Sequence, residues 1–125
     1  MYLYVKLEIL KSLPKFFYVG YAVFSYDGSF VYQTTSLDVD DHLWPKYSLG
    51  INIIKGQIPS RLLNEGLYKI VFIAGIYFER YIFNPEGDSP YISLEIQGGF
   101  SESTVFKFKR KGLLAPIILW QTVFK

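Results

Sequence analysis

The feature that most constrains this chain is its period. Apolar residues recur at every second position in one segment after another, and turn residues close each segment. "YLYVKLEIL" sets the pattern: Leu3, Val5, Leu7 and Ile9 share one face, and Tyr2, Tyr4, Lys6 and Glu8 share the other. Alternation of this kind belongs to a half-buried strand, because successive strand side chains point to opposite faces. Helical spacing is almost missing; "PSRLLNEG" suits one short turn at most. "FFYVGYAVFSY", Asp27-Gly28-Ser29 and "FVYQTT" read as a strand, a hairpin turn and a returning strand. "SLGINIIKGQI", "YKIVFIAGIYF", "YISLEIQ", "TVFKFK" and "IILWQTVF" supply the remaining strands. About eight strands at this spacing predict an all-β, antiparallel, two-sheet Ig-like sandwich, with a barrel as the alternative.

The 125 residues suit one domain spanning 1–125. No cysteine is present, so neither a disulfide framework nor a cysteine metal site is available. A net charge of +2 does not make the field that nucleic acid requires. The one basic cluster, Lys107, Lys109, Arg110 and Lys111, reads as a solvated strand end and turn. The N-terminal segment carries Lys6 and Glu8, unlike the apolar stretch of a signal peptide. Phe16–Phe24 and Ile70–Phe78 are too short for membrane helices.

"LLNEGLYKI" carries a second, sharper signal. A tyrosine at the start of a late sandwich strand fills the end of the core while its hydroxyl bonds back to the chain a few residues upstream. A glycine two positions earlier allows the bend. Gly66 and Tyr68 have that spacing, and Tyr68, Ile70, Phe72 and Ala74 then face the core. On the opposite face, Val71 and Ile73 point away from that core, so the strand is either covered on both faces or presents an apolar surface to a partner, the reading favoured here.

The order of these pieces resembles a known family. "VGYAVFSYDGSFVYQTTS", "IPSRLLNEGLYKI", an acidic loop before "YISLEI", and a late "GLLAPIILW" are similar to the C-terminal carbohydrate-binding domain of Wzt-type proteins. Those are the ATP-binding subunits of ABC transporters that export O-antigen polysaccharide. The resemblance covers about Tyr18 to Trp120; the corner motif falls on Leu62, Leu63, Gly66 and Tyr68. It implies an Ig-like sandwich and a homodimer that binds a lipid-linked, O-antigen-like glycan without any cofactor. It also implies partnership with the transporter's nucleotide-binding and membrane subunits, and a cytoplasmic location at the inner face of the membrane. Trp120 matches the family's closing tryptophan and is expected to be partly buried. No Gly-x-x-x-x-Gly-Lys-Ser/Thr occurs, so this chain corresponds to the isolated domain. The family's additional first strand is missing, which leaves an edge for strand exchange between subunits to cover.

His42 is the only histidine, which removes the usual general base and any multi-histidine metal site; a non-catalytic binder is expected. Asp38, Asp40 and Asp41 beside it form either a cation or sugar site or a solvated acidic loop. Trp44 and Tyr47 form either a platform for sugar rings or a plug at the end of the sandwich. Tyr77, Arg80 and Tyr81, with Glu79, mix aromatic planes with a charged fork; the other reading is a strand edge with one surface ion pair. Tyr2 and Tyr4 are a third aromatic patch. The competing function is an Ig-like structural or protein-interaction module without a sugar ligand.

Overall fold

The computed structural model describes residues 1–97 and 109–123. Within them the chain is all-β and folds as two antiparallel sheets. The strands are β1 (Tyr2–Ile9), β2 (Phe17–Ser25), β3 (Phe30–Thr35), β4 (Gly50–Gln57), β5 (Gly66–Ile76), β6 (Arg80–Phe83) and β7 (Tyr91–Ile96). β1 and β4 make a two-stranded sheet; the larger sheet runs β3-β2-β5. The far edge of β5 is shared. β7 pairs with its first half, Gly66–Val71, and β6 with its last three residues.

The period-two pattern sets which residues meet between the sheets. Val19, Tyr21 and Val23 of β2 lie opposite Ala74, Phe72 and Ile70 of β5, all on one face. Leu3, Val5 and Leu7 on β1 are partly buried, whereas Tyr2, Tyr4, Lys6 and Glu8 face water. The core is built on Tyr21, Val23, Ile58, Leu63, Tyr68 and Ile70, with Leu3 and Leu94 packed against it. Full burial of one aliphatic side chain contributes roughly 1.5–3 kcal/mol, so Val23 and Ile70 are among the strongest single contributors. Tyr21 also joins the sheets through its polar tip: its hydroxyl donates to the Gln57 carbonyl at 2.9 Å and lies 2.8 Å from the Tyr32 hydroxyl. Burial pushes the Tyr21 pKa well above its ordinary value, with the Tyr32 bond adding to the shift.

Tyr68 behaves as its spacing predicts. The ring is 3% exposed, and its hydroxyl donates to the Asn64 carbonyl at 2.7 Å, with the Leu113 carbonyl farther off at 3.3 Å. Gly66 has φ 152°, a value that side-chain-bearing residues seldom adopt. A late segment completes this corner. The Asn64 amide donates to Leu113 O at 2.8 Å, and the Ala115 amide donates to Leu62 O at 2.7 Å.

Three expectations are corrected. Val71 and Ile73 do not form an open apolar surface; they are 2% and 1% exposed. Val71 sits at the bottom of a cleft rimmed by Phe24, Tyr91 and Pro85–Gly87 of the β6–β7 connection. That connection is tied to β5: the Phe72 amide donates to Pro90 O, and the Ser89 hydroxyl to Phe72 O. Second, Ile117–Val123 forms no strand, and Trp120 is 88% exposed rather than partly buried. Its β-prone residues do not pair with any described strand, although β1, β3 and β4 each have an unpaired edge. Third, the expected single strand through Phe78 ends at Ile76, turns, and returns as β6. The expected strand Thr104–Lys109 lies almost wholly outside the described residues.

Candidate functional site: an aromatic groove at one end of the sandwich

The groove lies where β5 hands over to β6. The Glu79 amide donates to Ile76 O at 2.9 Å, closing a four-residue turn around Tyr77 and Phe78. Phe78 has φ 70° and is 88% exposed. A positive φ at the third position of such a turn is usually glycine's, so phenylalanine holds it under strain. Its ring packs on Tyr77 with centroids 4.0 Å apart. The Tyr77 amide donates to Phe16 O at 3.0 Å and so fixes the turn against the chain entering β2.

On the outer face of the large sheet, Tyr81 pairs across to Gly75, and Gly75 pairs across to Tyr18 on β2. A Cβ on Gly75 would lie 2.8 Å from the Tyr18 hydroxyl, so the glycine makes room for that ring. Burial raises the Tyr18 pKa, and the neighbouring Tyr81 phenol adds to the rise.

Trp44 arrives from the loop before β4. Its indole N–H donates to Val39 O at 2.9 Å, and its ring meets Phe16 edge-on at 6.1 Å. The indole is half-buried, so it both closes the loop and leaves a face open. The result is a groove of about 560 Å³ lined by Phe16, Tyr18, Trp44, Tyr77, Phe78 and Tyr81. That volume falls within the roughly 300–1,000 Å³ of small-molecule sites. Gln33, Thr35 and Asp38 supply its polar wall. Asp38 is held firmly: it accepts from the Thr34 hydroxyl at 2.9 Å, the Thr35 amide at 3.0 Å and the Thr35 hydroxyl at 3.1 Å.

Three of the five residues expected at the site therefore come together: Trp44, Tyr77 and Tyr81. Arg80 does not line the groove. It pairs with Ile76, and alternation turns its side chain to the strand face opposite Tyr81. Tyr47 is placed elsewhere too. Its ring packs edge-on to Phe17 at 5.2 Å, as a plug. Its hydroxyl is buried without a well-formed hydrogen bond. Burial raises its pKa, and the nearby Ser36 hydroxyl offsets part of that rise. Sequence reasoning missed Phe16, Tyr18, Gln33, Thr35 and Phe78. The glycine placed across from Tyr18 is a signal that pairing the strands in advance would have exposed.

Two other features compete for attention. Asp40, Asp41 and His42 are exposed and clustered, with His42 Nδ1 3.2 Å from Asp40 Oδ1. The bond from His42 and a second from Asp41 hold the Asp40 carboxyl below its usual range. All three are exposed to solvent, and Asp38 is engaged apart from them, with the threonines. A cavity of about 240 Å³ lies between the sheets, lined by Leu3, Val5, Val19, Tyr21 and Phe72 among others. It follows from two strands covering a wider sheet, and it lacks the open aromatic faces of the groove. Among the described residues no helix is long and apolar enough to cross a membrane.

No family profile, curated protein or solved structure matches this chain.

Proposed function

We propose that the chain is a non-catalytic polysaccharide-binding domain and that the aromatic groove is its glycan site. The observation that carries this reading is the convergence of Trp44, Tyr77 and Tyr81 with Tyr18, Gln33 and Thr35 in one open groove. Sugar rings present C–H faces to aromatic planes and hydroxyls to amide and hydroxyl groups, and the groove offers both. Binding is shallow, hence weak per site, and pairing of subunits in a homodimer adds avidity. The resemblance to the Wzt-type carbohydrate-binding domain gives this reading its context: a lipid-linked, O-antigen-like glycan delivered to an ABC transporter at the inner face of the membrane. The nucleotide-binding and membrane subunits are the partners in that context.

The test is calorimetric titration of glycans that the wild-type protein retains on an array. Trp44→Ala and Tyr77→Ala each weaken binding at least about fivefold, taking the low end of the about 1–3 kcal/mol that a base stacked on one aromatic contributes as the guide. Arg80→Ala, off the groove, leaves it within about twofold. Unchanged binding in both aromatic variants sinks the assignment.

A protein-interaction module without a sugar ligand is the second reading. Val71 and Ile73 no longer favour it, but the outer face of the β1–β4 sheet does, where Tyr4, Ile51 and Ile53 are exposed. Under that reading Ile53→Lys changes association between molecules and the groove variants change nothing.

A further inference from the structure

We infer that the groove selects glycans free of anionic groups, rejecting uronates, sialic acids and phosphorylated sugars. The inference rests on the glycan-binding reading and deepens it.

The groove's charge carries it. Among the described residues that line it, Asp38 is the only carboxylate, and none is a lysine, arginine or histidine. Its three hydrogen bonds come from Thr34 and Thr35, all neutral donors that leave the negative charge in place. The same loop continues into Asp40 and Asp41, both exposed, and then to Trp44 itself. No cation is part of the described lining, although Lys15 and Lys46 are next in sequence or nearly so to the lining residues Phe16 and Trp44. The Lys15 ammonium lies 5.6 Å from the Phe16 ring centroid, and Arg80 faces away from Tyr81. The basic fork that an acidic sugar needs for bidentate recognition is therefore not built into the lining. An uncharged pyranose loses nothing: its hydroxyls donate to Asp38 and Gln33, and its C–H faces stack. An anionic sugar about 6 Å from Asp38, at an effective dielectric of about 40, is disfavoured by a factor of about ten. The repulsion is screened by salt, because the groove is open to solvent.

An array of uncharged, amino-substituted, uronate-, sialic-acid- and phosphate-bearing glycans tests this with the wild-type protein at low and high salt. Binders are expected to lack anionic groups. An acidic analogue of a binder should be about tenfold weaker at low salt, with the gap narrowing at 0.5 M salt. Asp38→Asn narrows the same gap at low salt. The salt dependence of the wild type stands on its own if that variant folds poorly. A preference for acidic glycans, or a gap that salt leaves unchanged, overturns the inference and leaves the glycan-binding reading intact. Binding to no glycan on the array removes that reading and this inference together.

Discussion

The two ends of β5 put the same kind of residue to opposite uses. At its first end, Tyr68 buries its ring and satisfies its hydroxyl, and the residue with an unusual φ is a glycine, Gly66. At its last end, Tyr77 and Phe78 stand in water, and the residue with positive φ is a phenylalanine. Aromatic rings at the first end lower the energy of the fold. Those at the last end are held out at a cost to it. Strain of about 1–3 kcal/mol survives only where surrounding structure imposes it, and such sites cluster where ligands bind. The contrast supports the proposal that recognition lies at the Phe78 end, apart from the stabilising corner at Tyr68.

The largest way to test that division is Tyr68→Ala. Removing a buried ring of this size costs about 3–5 kcal/mol. Urea denaturation should show a large loss of stability, and any folded remainder should keep its glycan affinity. Gly75→Ala comes next and strikes the other end. The new methyl meets the Tyr18 hydroxyl at 2.8 Å and the Arg80 carbonyl at 2.9 Å. Overpacking of this kind costs about 1–3 kcal/mol. Because Tyr18 lines the groove, this variant should lose stability and binding together. Tyr68→Phe keeps the ring and strands the Asn64 carbonyl, for about 1–2 kcal/mol with unchanged architecture. A Tyr68→Phe protein as stable as wild type would show that the hydroxyl bond does not hold the corner.

What could be read in advance follows the same division. The corner was legible because its parts are local: Gly66, Tyr68 and the Asn64 carbonyl lie within five residues. The first four strands were legible because alternation and turn residues bound them. The burial of Val71 and Ile73 was not; around Val71 the neighbours are Phe24, Tyr91 and the β6–β7 connection, all remote in sequence. "YKIVFIAGIYF" reads as one strand through Phe78; the positive φ at Phe78, which phenylalanine does not announce, marks the turn that ends it at Ile76 and returns the chain as β6. Trp44, Tyr77 and Tyr81 could be singled out as aromatics beside polar groups, with a plug or a plain strand edge as the other reading. That they share a groove, and that Arg80 and Tyr47 do not, depends on strand pairing.

Phe78→Gly is the direct probe of the strained end. Glycine accepts the positive φ without the steric cost of about 1–2 kcal/mol that a side chain bears there. Its greater freedom in the unfolded chain returns about 0.5–1 kcal/mol of that. The variant should be up to about 1.5 kcal/mol more stable than wild type by denaturant midpoint, and it should bind glycan more weakly. A gain of stability with full binding would mean that the ring is not part of the recognition surface. A loss of stability would mean that Phe78 packs usefully and that the two ends do not differ as described.

The smallest effect lies in the β2–β3 turn, at the Tyr68 end, since Ser25 pairs directly with Tyr68. Asp27 accepts from the Ser25 hydroxyl and from the Ser29 amide, the latter at 3.0 Å. These bonds, with Ser25 the largest contributor, hold its pKa down at about 2 from an ordinary 3.8. A carboxyl whose pKa is lower in the folded chain binds its proton more readily when unfolded. Its contribution is therefore complete above about pH 4 and is lost as pH falls toward 2. The carboxyl is exposed, so the effect is modest and screened. Urea midpoints measured from pH 5 to pH 2 should fall more steeply for the wild type than for Asp27→Asn. Below pH 2 the two curves should run parallel. Parallel curves across the whole range would mean that the turn, unlike the tyrosine beside it, adds nothing to the stable end of the strand.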